Sequence, residues 1–478
     1  TFTIVPTPAV ASVPSAPTAS TTSSSSDTIS AAATISAATP APIFTISTST
    51  ATISTPAAPS SAPSPTSTPS STPVVAPAPA VPVALVIVNT CTVTRLADAK
   101  CRQSIRQLVA ENPQAFVVVT GCYSQLGAAE IAAIHGVDLI LGNHDKLNVL
   151  DYIGDGTKNP RPVIVRERIS REDFSIEFAG ERPFNKRANL KVQDGCDFGC
   201  SFCIIPKARG QARSRDFENL LAEARSLAAR GVRELVLTGV NIGTYRSGGC
   251  GVAEVTDALA GVAGIDRLRI SSIEPTTVSA AVLERMADPS HPLLPYLHLP
   301  LQSGCERILR DMRRLYTKAQ YAEFARAAVA RVPELCLGAD IMVGFPGETD
   351  AEFEETCDFF REMPFAYAHV FTYSEREGTA AARRADAVSV PVRQRRSAQL
   401  RRLSAQRLHD FMSAHLGRTM RVLFEDPAGG VWPGLTDNYI RVAIPAAQVP
   451  GLDLANQTAL VRLETVSADF VSGKIVER

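Results

Sequence analysis

The chain has 478 residues, 45% of them hydrophobic, and a formal net charge of zero, which is enough sequence for two to four domains with substantial cores. The balanced charge excludes global electrostatic attraction as the basis of partner binding, so an anionic partner has to be met by a local patch. No apolar run reaches the roughly 18 residues that span a bilayer, so no membrane partner is expected, and ten cysteines without a recognisable signal peptide read as reduced thiols and metal ligands in the cytoplasm.

Residues 1–80 are almost wholly Ser, Thr, Ala, Pro and Val, with Asp27 the only charged side chain. Such a composition buries too little apolar surface in a fixed register to offset ordering entropy, so low-complexity disorder is expected there. Order is expected from near Val83. Strands over 83–89, 115–120 and 137–141 alternate with helical stretches over 98–111 and 126–134, and this pattern describes a parallel α/β domain over residues 81–155. Ligands of such sheets sit beyond the carboxyl ends of the strands. Cys91 and Cys122 each fall just past a predicted strand end, where two thiols can share a metal or pack as inert side chains. Residues 151–187 read as a charged connection.

From Ala188 the order becomes strand then helix, repeated. Predicted strands near 189–193, 234–237, 268–272, 296–299, 335–342 and 367–371 suggest an open (β/α)6 barrel within residues 185–412, with its chemistry on loops at the carboxyl ends of the strands. The first such loop is Cys196-Asp197-Phe198-Gly199-Cys200-Ser201-Phe202-Cys203. Three thiolates from one loop can close on a four-iron cubane and leave one iron open, since each iron normally takes one cysteine. Structural zinc wants four side-chain ligands, and no fourth Cys or His lies in the loop. Later strand ends carry small and polar residues suited to close approach by a cofactor's backbone, ribose and base. Gly239, Asn241, Ser271, Ser272, Glu274 and Gln302 are the candidates.

Eight arginines between Arg383 and Arg407 face a single acid, Asp386. Leu400, Leu403, Leu408 and Phe411 form an apolar stripe at helical spacing, which predicts the arginines on the opposite, solvent face. A one-signed run of this kind suits phosphate, and Arg393, Arg395, Arg396, Arg401 and Arg402 are the candidate nucleic-acid contacts. Residues 415–478 turn to short strands over 420–425, 431–435, 439–444, 458–465 and 473–477, which predict a small five-stranded barrel. Trp432 and Tyr439 are its aromatic candidates for base stacking or for the core.

With these motifs in view, residues 83–478 resemble the radical S-adenosylmethionine (SAM) methylthiotransferases. Shared features are the CxxxCxxC loop, Asn189-Leu190-Lys191 leading into it, Arg269-Ile270-Ser271-Ser272-Ile273-Glu274-Pro275 and the run from His298 to Gly304. The resemblance implies a flavodoxin-like amino-terminal domain, a radical SAM barrel and a carboxyl-terminal TRAM domain. It implies a [4Fe-4S] cluster on Cys196, Cys200 and Cys203 that binds SAM and, once reduced by a donor such as a flavodoxin or ferredoxin, cleaves it to a 5′-deoxyadenosyl radical. A second, auxiliary [4Fe-4S] cluster, with Cys91 and Cys122 among its ligands, supplies sulfur. The family pattern has a third auxiliary cysteine after an initial strand, where this chain has low-complexity sequence; Cys101 is the candidate substitute, against a core-facing reading. Cys203 to Gly210 with Arg213-Ser214-Arg215, and His369 to Ser374, resemble the MtaB-type branch, which methylthiolates N6-threonylcarbamoyladenosine at position 37 of tRNA. The isopentenyladenosine and ribosomal-protein aspartate branches are the alternatives within the chemistry, and an RNA-binding protein with a structural cluster is the alternative outside it.

Overall fold

The computed structural model describes residues 84–177 and 187–477, together with the backbone of Phe2–Pro6 and Ala33–Ile35. These two short segments correct the expectation of disorder throughout residues 1–80; the remainder of that stretch lies outside the described residues. Strand β1 (Phe2–Pro6) pairs antiparallel with β2 (Ala33–Ile35) and parallel with β3 (Leu85–Thr90), Phe2 opposite Leu85. It therefore occupies the sheet position beside β3 that low-complexity sequence seemed to leave vacant.

The sheet continues in parallel through β4 (Phe116–Gly121), β5 (Leu139–Leu141) and β6 (Val163–Val165). The last of these lies in the segment expected to be only a connection. Its Val-Ile-Val run pairs with Leu139–Leu141 at the sheet's edge, where a half-exposed strand needs less apolar sequence than a central one. Helix α1 (Arg95–Glu111) covers one face with Cys101, Ile105 and Leu108, and Thr94 caps it by accepting from Ala97 N at 3.0 Å.

The second unit has six parallel strands in two three-stranded sheets. β7 (Arg187–Lys191), β8 (Glu234–Thr238) and β9 (Arg267–Ile270) form one, and β10 (Tyr296–Gln302), β11 (Cys336–Val343) and β12 (Tyr367–Thr372) form the other. Leu268 joins them through bonds to Pro292 O at 2.8 Å and from Leu294 N at 2.9 Å. Among the described residues β7 and β12 do not pair, so the barrel is open, as six strands with this alternation predict.

At the carboxyl end, β13 (Thr419–Phe424), β14 (Val431–Thr436), β15 (Arg441–Pro445), β16 (Thr458–Val466) and β17 (Val471–Glu477) close in the order β13-β14-β15-β17-β16 around a core that holds Trp432. The β14–β15 turn seals the base of the open barrel. Arg267 and Arg269, both buried, donate to opposite oxygens of the buried Glu234 at 2.7 and 3.0 Å. Arg267 also reaches Thr436 O at 3.0 Å and the Asp437 carboxylate, and Arg269 lies between the Tyr296 and Tyr439 rings, 5.3 and 4.8 Å from their centroids. Tyr439 is thus engaged at this junction.

Candidate functional site

The cysteine loop leaves β7 through a turn that only glycine fits. Gly195 has φ of 70°, and a Cβ there would sit 1.8 Å from Gln211 O. Ser201 anchors the middle of the loop, its N–H to Met312 O at 3.0 Å and its hydroxyl to Asp311 O at 2.8 Å. Cys196, Cys200 and Cys203 are half-buried at the carboxyl end of the barrel. Sulfur acceptors are met by Phe198 N on Cys196, Ile205 N on Cys203, and Arg314 Nη1 on Cys200 at 3.3 Å. Burial pushes all three thiols up, Cys203 to about 12, with the charges of Cys200 and Cys196 adding to the effect there. Such thiols ionise readily only against strong positive charge, which a bound iron centre would supply. The three loop cysteines are not drawn in around a single ion, since the one group of three ligating side chains within 4.8 Å among the described residues lies elsewhere, at His298, Asp340 and His369. This spread fits a cluster better than zinc.

Candidate cofactor residues stand at successive strand ends around this loop. Gln193 ties the first two ends together, donating to Asp194 O and Gly195 O while its Oε1 accepts from Val240 N and Asn241 N, both at 2.9 Å. Gly239 lets this happen, because a Cβ there would meet Gln193 at 3.0 Å. Asn241 is buried, its Oδ1 accepting from Thr277 at 3.2 Å while its Nδ2 has no partner among the described residues. A buried amide nitrogen without an acceptor suits a ligand that brings one. Ser271 and Ser272 are half-buried beyond β9, and Glu274 pairs with Arg314, the same guanidinium that meets Cys200. Gln302 ends β10 with a left-handed φ of 74°, at an irregular step in the pairing between Pro300 and Gln302. A non-glycine residue in that region is strained.

The amino-terminal thiols face this mouth. Cys122 opens the short helix α2 (Cys122–Leu126), which packs on α3 (Ile205–Arg209) immediately after the cysteine loop. Arg209 bridges the two units, Nε donating to Cys122 Sγ at 3.2 Å and Nη1 to Asp194 at 3.2 Å; Asn143 Nδ2 donates to Cys122 Sγ at 3.5 Å and to Ala208 O at 2.7 Å. Burial pushes the Cys91 thiol up, the Cys122 charge adds to this, and Arg209 opposes it, so Cys91 and Cys122 share one electrostatic neighbourhood. Cys101 sits beside Cys91 on the side of the core. It is 1% exposed in the core and donates to Cys91 O at 3.4 Å. Among the described residues, Cys91 and Cys122 are the thiols just past the strand ends at that edge.

Two of the candidate arginines need correction. In helix α4 (Val390–Ser413), Arg393 and Arg396 are buried, not on the solvent face. Arg393 donates to Tyr373 O at 2.9 Å and Glu375 at 2.6 Å, and Arg396 to Glu348 and Asp350 at 2.6 and 2.8 Å. A guanidinium with a carboxylate waiting can take a core position that periodicity reserves for leucine. Arg395, Arg401 and Arg402 are exposed.

Sequence reasoning missed Arg314, Gln193 and Asn143, and quoted Arg209 only within a motif. Their importance comes from partners at chain separations that spacing does not disclose.

The radical SAM superfamily model matches residues 190–360, and that of the uncharacterized protein family UPF0004 matches residues 79–142. Threonylcarbamoyladenosine tRNA methylthiotransferase MtaB of Bacillus subtilis is 36% identical over 403 residues, 82% of this chain and 87% of its own length. A tRNA-2-methylthio-N(6)-dimethylallyladenosine synthase of Maricaulis maris is 32% identical over 421 residues, 82% of this chain and 89% of its own. Among solved structures, the radical SAM methyltransferase TsrM of Kitasatospora setae aligns with a TM-score of 0.50 at 16% identity over 63% of this chain and 66% of its own, a likeness of fold.

Proposed function

The chain belongs to the radical SAM tRNA methylthiotransferase family, and from that premise we propose that it converts N6-threonylcarbamoyladenosine at position 37 of tRNA to the 2-methylthio derivative. The family uses a [4Fe-4S] cluster with SAM, carries a second cluster, takes tRNA as substrate and needs a reductant. The observation that carries the finer reading is the likeness to the Bacillus relative named for threonylcarbamoyladenosine, spread over 82% of this chain and 87% of the relative.

In this reading Cys196, Cys200 and Cys203 hold the SAM cluster, which when reduced supplies the one-electron cleavage of SAM. Around it, Gly239, Asn241, Ser271, Ser272, Glu274 and Gln302 cradle SAM at the strand ends, and Arg314 holds Glu274 while donating to Cys200. Cys91 and Cys122 hold part of the auxiliary group over the same mouth, where Arg209 donates to the Cys122 sulfur. Arg395, Arg401 and Arg402 meet tRNA phosphates.

Mass spectrometry of tRNA nucleosides from a strain deleted for this gene tests the substrate. Loss of 2-methylthio-threonylcarbamoyladenosine with the 2-methylthio dimethylallyl nucleoside intact is expected. The converse pattern assigns the chain to the dimethylallyl branch.

A further inference from the structure

Alternation along the last three barrel strands decides which side chains face the lumen. Leu297 and Leu299, Ala339 and Ile341, and Ala368 and Val370 pack into the helix-facing core. The residues between each pair, His298, Asp340 and His369, therefore point inward. They meet: His298 Nε2 lies 3.0 Å and His369 Nδ1 3.4 Å from the same oxygen, Asp340 Oδ1. Burial pushes the Asp340 carboxyl up, and the hydrogen bonds from the two imidazoles more than reverse this, holding it below the usual carboxylate range.

The two histidines differ in what remains free. His298 is buried, and its Nδ1 meets the Tyr367 hydroxyl at 3.1 Å, which in turn meets the Tyr296 hydroxyl at 2.6 Å. His369 is 47% exposed, and its Nε2 has no hydrogen-bond partner among the described residues. Tyr296 belongs to the sealed base below, while Asp340 is close enough to Glu274 for its charge to act there. The layer thus lies between the stoppered base and the cofactor end of the lumen.

We propose that His369, aimed by Asp340, is the specificity-determining residue that receives the carboxylate of the N6 substituent on the target adenosine. This rests on the threonylcarbamoyl reading above and names the contact that would enforce it. A threonylcarbamoyl group carries a carboxylate and a hydroxyl; a dimethylallyl group carries no polar atom. With its Nδ1 hydrogen committed to Asp340, the ring meets an incoming carboxylate by holding a second hydrogen at Nε2, since both nitrogens donate in the protonated form. An apolar substituent seated here would strip water from a carboxylate and two imidazoles and return no hydrogen bond. The layer therefore selects for an anion and against a hydrocarbon.

The test is equilibrium binding of the full chain to three anticodon stem-loop RNAs. These carry threonylcarbamoyladenosine, its threoninol analogue in which a hydroxymethyl replaces the carboxylate, or dimethylallyladenosine. Wild type should bind the first about ten- to a hundredfold more tightly than the second, the range for one charge-assisted hydrogen bond. His369→Leu should lose that factor on the first RNA and little more on the second, and His369→Gln should recover part of it. Equal weakening of both RNAs by His369→Leu, or no discrimination by wild type, overturns the contact while leaving the threonylcarbamoyl assignment to stand on the nucleoside analysis. Preferential binding of the dimethylallyl RNA by wild type overturns both. A non-cluster divalent metal retained by wild type and lost in His369→Leu would show the layer to be a cation site and also overturn the contact.

Discussion

Cys203 is the loop thiol that burial pushes furthest, to about 12, while an unfolded chain's thiol ionises near 8.5 to 9. In cluster-free protein its contribution to stability is therefore full below about pH 8.5 and is lost as pH rises towards 12, because the unfolded chain releases the proton first. Urea denaturation of cluster-free protein should show stability falling between pH 8.5 and 10.5 by up to about 1.4 kcal/mol per pH unit from this group. Cys203→Ser should flatten that slope, and an unchanged slope would show the thiol to be solvated. The cysteine spacing made this loop visible in the sequence, because ligands from one loop have to be close in the chain. Arg314 was invisible for the opposite reason. It reaches Cys200 from 114 residues away, and nothing in its neighbourhood distinguishes it from Arg313, which precedes it.

Helix α4 shows what periodicity can and cannot decide. The stripe from Leu400 to Phe411 correctly predicts a helix packed on one face, but that face continues upstream through Ser397, Arg396 and Arg393. Charge sorted the arginines by type, and only the acids on facing elements, Glu348 and Glu375, sort them by role. Arg396→Met leaves the buried Glu348 without its cation and should cost about 3–5 kcal/mol in chemical denaturation. Paired substitution of Arg395 and Arg402 by Glu should leave folding within about 1 kcal/mol, as expected for exposed ion pairs. It should weaken tRNA binding and lower the salt slope by about one for each phosphate left unneutralised. If tRNA affinity were unmoved, the exposed face would not be a phosphate surface.

At the scale of the whole molecule, the amino-terminal unit is fastened to the barrel by a buried arginine. Arg376, just past β12, donates to Asp98 at 2.6 Å and to Thr92, the residue after Cys91, at 2.5 Å. Arg376→Met should raise hydrogen exchange across residues 85–165 and leave exchange in the barrel strands unchanged; matching protection in both units would show that the packing of α2 on α3 suffices. The three-unit order was legible because strand and helix periods switch where the units do. How they lock was not, since the fastening residues are isolated polar side chains with no period.

The turn from Thr436 to Tyr439 has a consequence for traffic. Among the described residues, Glu234, Arg267, Arg269 and two tyrosine rings fill the base, which leaves the strand ends as the way in and out of the lumen. The substituent proposed to reach His369 has to pass the strand ends where the small molecule is cradled. Nucleotide and small molecule then share one entrance, and each narrows the way of the other.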